Sequence, residues 1–272
     1  MSKRKKIEKK NKIIAISVIS LFSLIILILF FKWLLFDRVV ESVNLDLNSE
    51  DAINVVYKTN MYSYFDYLGE YDVSSLSNQE KLWFVVETDD LYDKTLNFYS
   101  EGSLVSAEDV IEFYKRYFGD SEIENEDILC PIDNKPIFEY NSKEGYYKYS
   151  DNSHLHGGIS YIYDKYSYPI SVEKIRKANG DILYEVKMNK MFGDYCTDIC
   201  GITSNFYGTY EDSLNKENSL ISSNEYEDWE DYFTSNEKVE SLYNKIKDEL
   251  PVYTYVFEEV DNFYFLIEVK IS

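Results

Sequence analysis

The chain has 272 residues, 45% of them hydrophobic and 17% aromatic, and carries 49 acids against 28 bases for a net charge of −21. That apolar content excludes wholesale disorder, and the negative balance excludes nucleic acid as a partner, because phosphate backbones are held by excess cations. Three cysteines are too few for a disulfide scaffold, and Lys, Asn, Ile and Tyr are the residues favoured by the AT-rich genome of a low-GC bacterium.

Residues 1–12 form a basic tail in which Lys3, Arg4, Lys5, Lys6, Lys9, Lys10 and Lys12 face only Glu8. An uncharged run follows from Ile13 through Phe31 and continues past Lys32 to Phe36. At about 1.5 Å per residue it matches a hydrocarbon core of about 30 Å. The reading is a single transmembrane helix over 13–36. A cleaved signal peptide would need a shorter apolar region and a small-residue cleavage site, and bulky Phe30, Phe31, Trp33 and Phe36 stand there instead. Positive flanks stay inside. The tail is therefore expected in the cytoplasm, where it can also hold anionic lipid heads, with residues 37–272 outside the cell.

Within 37–272 the spacing predicts helices first. Ser49-Glu50-Asp51 opens one, with apolar Ile53, Val56, Tyr57, Met61, Tyr64, Phe65 and Leu68 at helical intervals and Gly69 closing it. Ser77-Asn78-Gln79-Glu80 is a capping box, in which hydroxyl and carboxylate satisfy orphan N–H groups reciprocally. Leu82, Trp83, Val86 and Leu91 follow on one side. Ser106 starts a third helix carrying Val110, Ile111, Tyr114, Tyr117 and Phe118, and Gly119 suits the left-handed position after its end. Residues 121–127 read as an acidic loop.

From Ile137 the period becomes two. Short strands are expected at 137–140, 146–149 and 159–163, then a hairpin pairing 170–177 with 182–188 through Ala178-Asn179-Gly180-Asp181, read as a type I′ turn. Ile182, Tyr184, Val186 and Met188 share one face. Residues 192–233 lose the pattern, keep one strand near 206–210, and otherwise read as a long insertion. Ser235 caps a helix with Val239, Leu242, Tyr243 and Ile246, stopped by Pro251. A terminal hairpin alternates Tyr253, Tyr255 and Phe257 against Phe263, Phe265, Ile267, Val269 and Ile271. The whole is α+β: several helices packed on a mainly antiparallel curved sheet. Either one large domain or a helical part 49–119 and a sheet part 137–272 fits that length.

His154 and His156 are the only histidines. Two apart on a strand they would share a face, and Cys196 and Cys200 could add two thiolates, making a candidate Cys₂His₂ zinc site. Against it stand the forty-odd residues between the halves and the oxidation of exported thiols. Cys196 and Cys200 could instead form a disulfide, or one could reach Cys130. Histidines bonded to neighbouring carboxylates or backbone are the plainer alternative. No EF-hand loop occurs, though acidic loops could hold Ca²⁺ weakly.

Acid pairs such as Asp89-Asp90 and Glu258-Glu259 are too common to select an acid and a base. No nucleophile-elbow, zincin, phosphate-loop or dinucleotide motif is present, which lowers the expectation of catalysis. The sequence thus points to a membrane-anchored cell-surface module that binds a protein or glycan partner, with no cofactor. The rival is an envelope-polymer hydrolase using carboxylates or the His/Cys set. A structural subunit pairing through its membrane helix has no G-x-x-x-G face to support it.

Overall fold

The computed structural model describes residues 23–28, 30, 38–89, 95–99, 102–119, 122–129, 134–150, 164–198, 201–215, 217–223 and 236–272. Over these the chain is α+β with two antiparallel sheets and several helices.

Strand β1 (Val39–Leu45) leads through a turn to α1 (Glu50–Met61), where the Ser49 hydroxyl accepts the Ala52 N–H at 3.4 Å. A 3₁₀ segment, Tyr62–Leu68, continues α1 and closes at Gly69, whose φ of +69° favours glycine. Of the expected apolar face, Phe65 is buried and Val56, Met61 and Leu68 pack partly against the core, but its first turns are displaced. Ile53 and Tyr57 are each 54% exposed, while Ala52, Val55, Thr59, Tyr62 and Phe65 are buried. The larger apolar side chains stand outward because the smaller ones are what fit closely against the sheet.

After the two-residue β2 (Tyr71–Asp72), α2 (Asn78–Thr88) begins at the predicted capping box, with both of its reciprocal bonds made. Leu82 through Val86 are all buried, so α2 is a central helix and not the one-sided helix read from its spacing. Strand β3 (Leu104–Ser106) enters α3 (Ala107–Phe118), whose cap Ser106 accepts the N–H of Glu108 and Asp109. The small sheet has the order β3-β6-β5-β4, from β4 (Ile128–Leu129), β5 (Pro136–Asn141) and β6 (Tyr146–Tyr149).

The large sheet is built on β8 (Ile182–Asp198). It pairs from Ile182 to Gly193 with β7 (Asp164–Lys177) on one side, and on the other first with β11 (Val252–Val260) and then with β9 (Gly201–Tyr207). β1 flanks β7, β12 (Phe263–Ile271) flanks β11, and β10 (Ile221–Ser223) flanks β9. Short α4 (Tyr210–Asn215) lies on β8 and β9, and α5 (Asn236–Ile246) covers the far end.

Three expectations are corrected here. Residues 192–198 and 201–207, read as part of an insertion, pair as the ends of β8 and β9, because backbone pairing needs no apolar pattern when a neighbouring strand supplies the partners. The Ala178–Asp181 loop is not type I′: only Gly180 has positive φ, and its N–H bonds to Lys177 O at 3.0 Å. Asp261 and Asn262, at φ of 52° and 67°, make the two-residue turn with left-handed backbone at both positions. Finally, the register of β12 shifts between Val256 and Phe257. Leu266 and Val269 therefore point inward, and Phe263 is 58% exposed.

One contiguous core runs from α1 through both sheets to β12. At its centre the Phe84 ring stacks at 5.4 Å on Tyr62 and on Phe65, and meets Phe118 edge-on at 4.7 Å. Tyr62 donates its hydroxyl to Tyr117 O at 2.7 Å, so the one polar atom in this nest is satisfied. Phe84→Ala is expected to cost about 3–5 kcal/mol, read as a lower urea midpoint with an unchanged slope. A loss below about 1 kcal/mol would mean that this aromatic nest is not packed as described.

Candidate functional site

Alternation along β8 sends Tyr184, Val186, Met188, Lys190 and Phe192 to one buried face, and around Lys190 the other face, with Asn189 and Met191, is buried as well. A lysine there must find a partner, since an isolated buried ammonium is costly. Asp66, in the 3₁₀ segment after α1, supplies it: Nζ to Oδ1 is 2.6 Å, with side chains 2% and 3% exposed. Tyr255 donates its hydroxyl to the same Oδ1 at 3.0 Å. Lys190 Nζ also lies 4.9 Å from the Tyr255 ring centre and 5.4 Å from that of Tyr253. Burial first, and the Asp66 charge second, hold the phenols of Tyr71, Tyr253 and Tyr255 well above the ordinary tyrosine range.

No substrate can reach a pair sealed this way, so its role is to fix the helical layer on the sheet. Lys190→Met should cost about 3–5 kcal/mol by leaving an uncompensated carboxylate, and adding Asp66→Asn should restore most of it in equilibrium urea unfolding. A double variant no more stable than the single one would contradict the pairing.

A second polar cluster is partly open. Lys174 on β7 lies 3.6 Å from Asp51 and 3.5 Å from Glu259, and Tyr184 donates to Glu259 at 3.0 Å. Tyr264 meets Tyr184 edge-on at 5.1 Å. The lysine ties both carboxylates into an ion-pair network, whereas acid and base catalysis needs two carboxyls in contrasting environments. Of the sequence's acid pairs, Glu259 thus belongs to this network. Asp89 is buried instead, accepting the N–H of Leu96 at 2.7 Å and of Phe98 at 3.4 Å.

That buried carboxylate builds the candidate binding site. It pins segment 95–98 as one wall of a cleft of about 360 Å³, within the size range of ligand sites. Leu104 and Val105 of β3 and Asp109, Glu112 and Arg116 of α3 line the rest of it. β3 pairs only with β6 among the described residues. Glu112 and Arg116 pair with each other at 3.7 Å, and Leu104 is 58% exposed. The surface the cleft presents is mainly polar, with Leu104 as its exposed apolar side chain.

Of the residues singled out in the sequence, His154, His156, Cys130 and Cys200 lie outside the described residues, and Cys196 takes a backbone position on β8 opposite Thr203. Among the described residues no group of three or more His, Cys, Asp or Glu is arranged to hold a metal. The cleft drew no sequence signal, because its walls come from three separate segments. Lys190 did carry one: it continues by one step the inward alternation Tyr184, Val186, Met188.

Comparison with protein-family models, with curated proteins and with solved structures finds no match.

The buried phenols make stability fall at alkaline pH. The folded chain keeps protons that the unfolded chain releases near pH 10, so the contribution is full below about pH 10 and lost as pH rises toward the raised folded values. In an alkaline titration, Tyr62, Tyr71, Tyr253 and Tyr255 should ionise only together with loss of near-ultraviolet circular dichroism. Complete phenolate absorbance with native dichroism would contradict this.

Proposed function

We propose that the chain is a single-pass membrane protein, tail inside, that presents its acidic α+β domain outside the cell to bind a protein or glycan in the cleft beside β3. The observation that carries the anchor is a helical stretch at 23–28 and 30, whose Leu24, Ile25, Ile26, Leu27, Ile28 and Phe30 are 44–63% exposed. Apolar side chains exposed in succession around a helix call for lipid as their surroundings. Among the described residues no helix is long and apolar enough to cross a membrane, and most of the expected span at 13–36 lies outside them. The support for spanning is thus the sequence of the run together with this exposed turn.

Binding is favoured over hydrolysis by the cleft's make-up. Asp109 and Glu112 sit one turn apart on the same helix, and Glu112 is tied to Arg116. A carboxylate hydrolase needs its two groups on opposite sides of the bond it cuts. The Cys₂His₂ set at His154, His156, Cys196 and Cys200 remains the hydrolase's other route, and a purified chain without stoichiometric zinc would close it.

Protease added to intact cells should remove the acidic domain and leave a small fragment bearing the lysine-rich tail. Protection of the domain would overturn the topology. Membrane crosslinking with the full chain should then give a discrete adduct that Leu104→Asp abolishes without lowering the melting temperature. An adduct indifferent to that change would place recognition elsewhere.

A further inference from the structure

The registers of the large sheet bring three separate points of the chain to one end. Val39, at the start of β1, pairs with Lys177. Arg176 pairs with Ile182, which in turn pairs with Glu259, and Val260 pairs with Phe263 across the Asp261-Asn262 turn. The first residues of β1, the β7–β8 loop and the tip of the β11–β12 hairpin therefore share one rim.

That rim is apolar where a solvated turn would be polar. Val39, Val40, Val260 and Phe263 are 50%, 58%, 44% and 58% exposed. Phe263 reaches this position because the bulge in the hairpin turns Leu266 inward in its place. The charges at the rim are of both signs, Arg38 and Lys177 against Asp181 and Asp261, so no strong field selects a charged partner.

The same rim lies next to the apolar run. From Phe36, where that run ends, to Val39 is three Cα steps, a reach of at most about 11 Å. The headgroup layer on each side of the hydrocarbon is about 5–7 Å deep. A chain held by its span therefore cannot carry Val39 far beyond the headgroups, and the hairpin tip stands on the same sheet end.

Resting on the anchored reading proposed above, we infer that this rim is a lipid-docking surface: Val39, Val40, Val260 and Phe263 sit in the headgroup region of the bilayer that holds the span. Aromatic and aliphatic side chains partition there from exposed turns as they do from interfacial helices. With mixed local charge, docking needs no anionic lipid. It also sets the domain's orientation, with the β11–β12 tip toward lipid and the opposite end of β11 toward solvent.

The test uses the full chain reconstituted in phosphatidylcholine vesicles, with a photoreactive phenylalanine placed singly at Ile26, Phe263 or Glu249. Glu249 is exposed and precedes β11 at the opposite end of that strand. Lipid adducts at 26 and 263, with background alone at 249, support the docking surface. Adducts at 26 with none at 263 overturn the docking while leaving the anchor standing, and equal labelling at 263 and 249 overturns it as non-specific contact. Protein adducts at 263 would assign the rim to a second copy and overturn it as well. No lipid adduct at 26 would remove the anchor, and the docking with it.

Discussion

Strand β8 is the constraint on which the rest of the structure depends. Among the described residues it is the one strand that pairs with three others, and its inward face carries Tyr184, Val186, Met188, Lys190 and Phe192 in unbroken alternation. Where a strand carries no bulge, as in β8, its period of two leaves no freedom to turn one residue away. Lys190 is therefore buried because its neighbours are, and Asp66 must come to it. This fixes the end of the α1 segment on the sheet, and with it Tyr62 and Phe65, against which Phe84 of the central helix stacks. The helical layer is thus registered to the sheet by one charge pair and held there by aromatic packing.

From this registration the two surfaces of interest follow. The central helix ends at Asp89, whose buried carboxylate holds the wall of the cleft beside β3. The flanking strands β7 and β11 place the start of β1 and the β11–β12 tip at the same end of the sheet. On the anchored reading proposed above, the apolar end of the molecule would adjoin the span, while recognition is assigned to a cleft on the small sheet. A binding module fixed to a membrane needs that separation, since a site facing the lipid would be closed to partners.

What was legible in the sequence was local. Ser49, Ser77 and Ser106 marked three helix starts because a cap is made within three residues of itself. Tyr253, Tyr255 and Phe257 gave their buried face by alternation alone. What was not legible depends on distant partners. The first turns of α1 differ from the spacing because Ile53 and Tyr57 are larger than the Ala52, Val55 and Thr59 that the sheet accommodates. The β12 bulge is a register decision between two strands, and nothing near Ile267 announces it. Residues 201–207, without an alternating pattern, form a strand because β8 offers them a ladder. The cleft was illegible for the same reason, being a meeting of segments about Leu96, Leu104 and Asp109.

The most direct test of this account is native-state hydrogen exchange on the full chain, resolved to single amides of β8. Amides from Tyr184 to Phe192 should exchange only through global unfolding, at the slowest rates in the molecule. Exchange of those amides by local opening while Leu82–Val86 stay protected would contradict it, since the helical layer would then stand without the strand said to hold it.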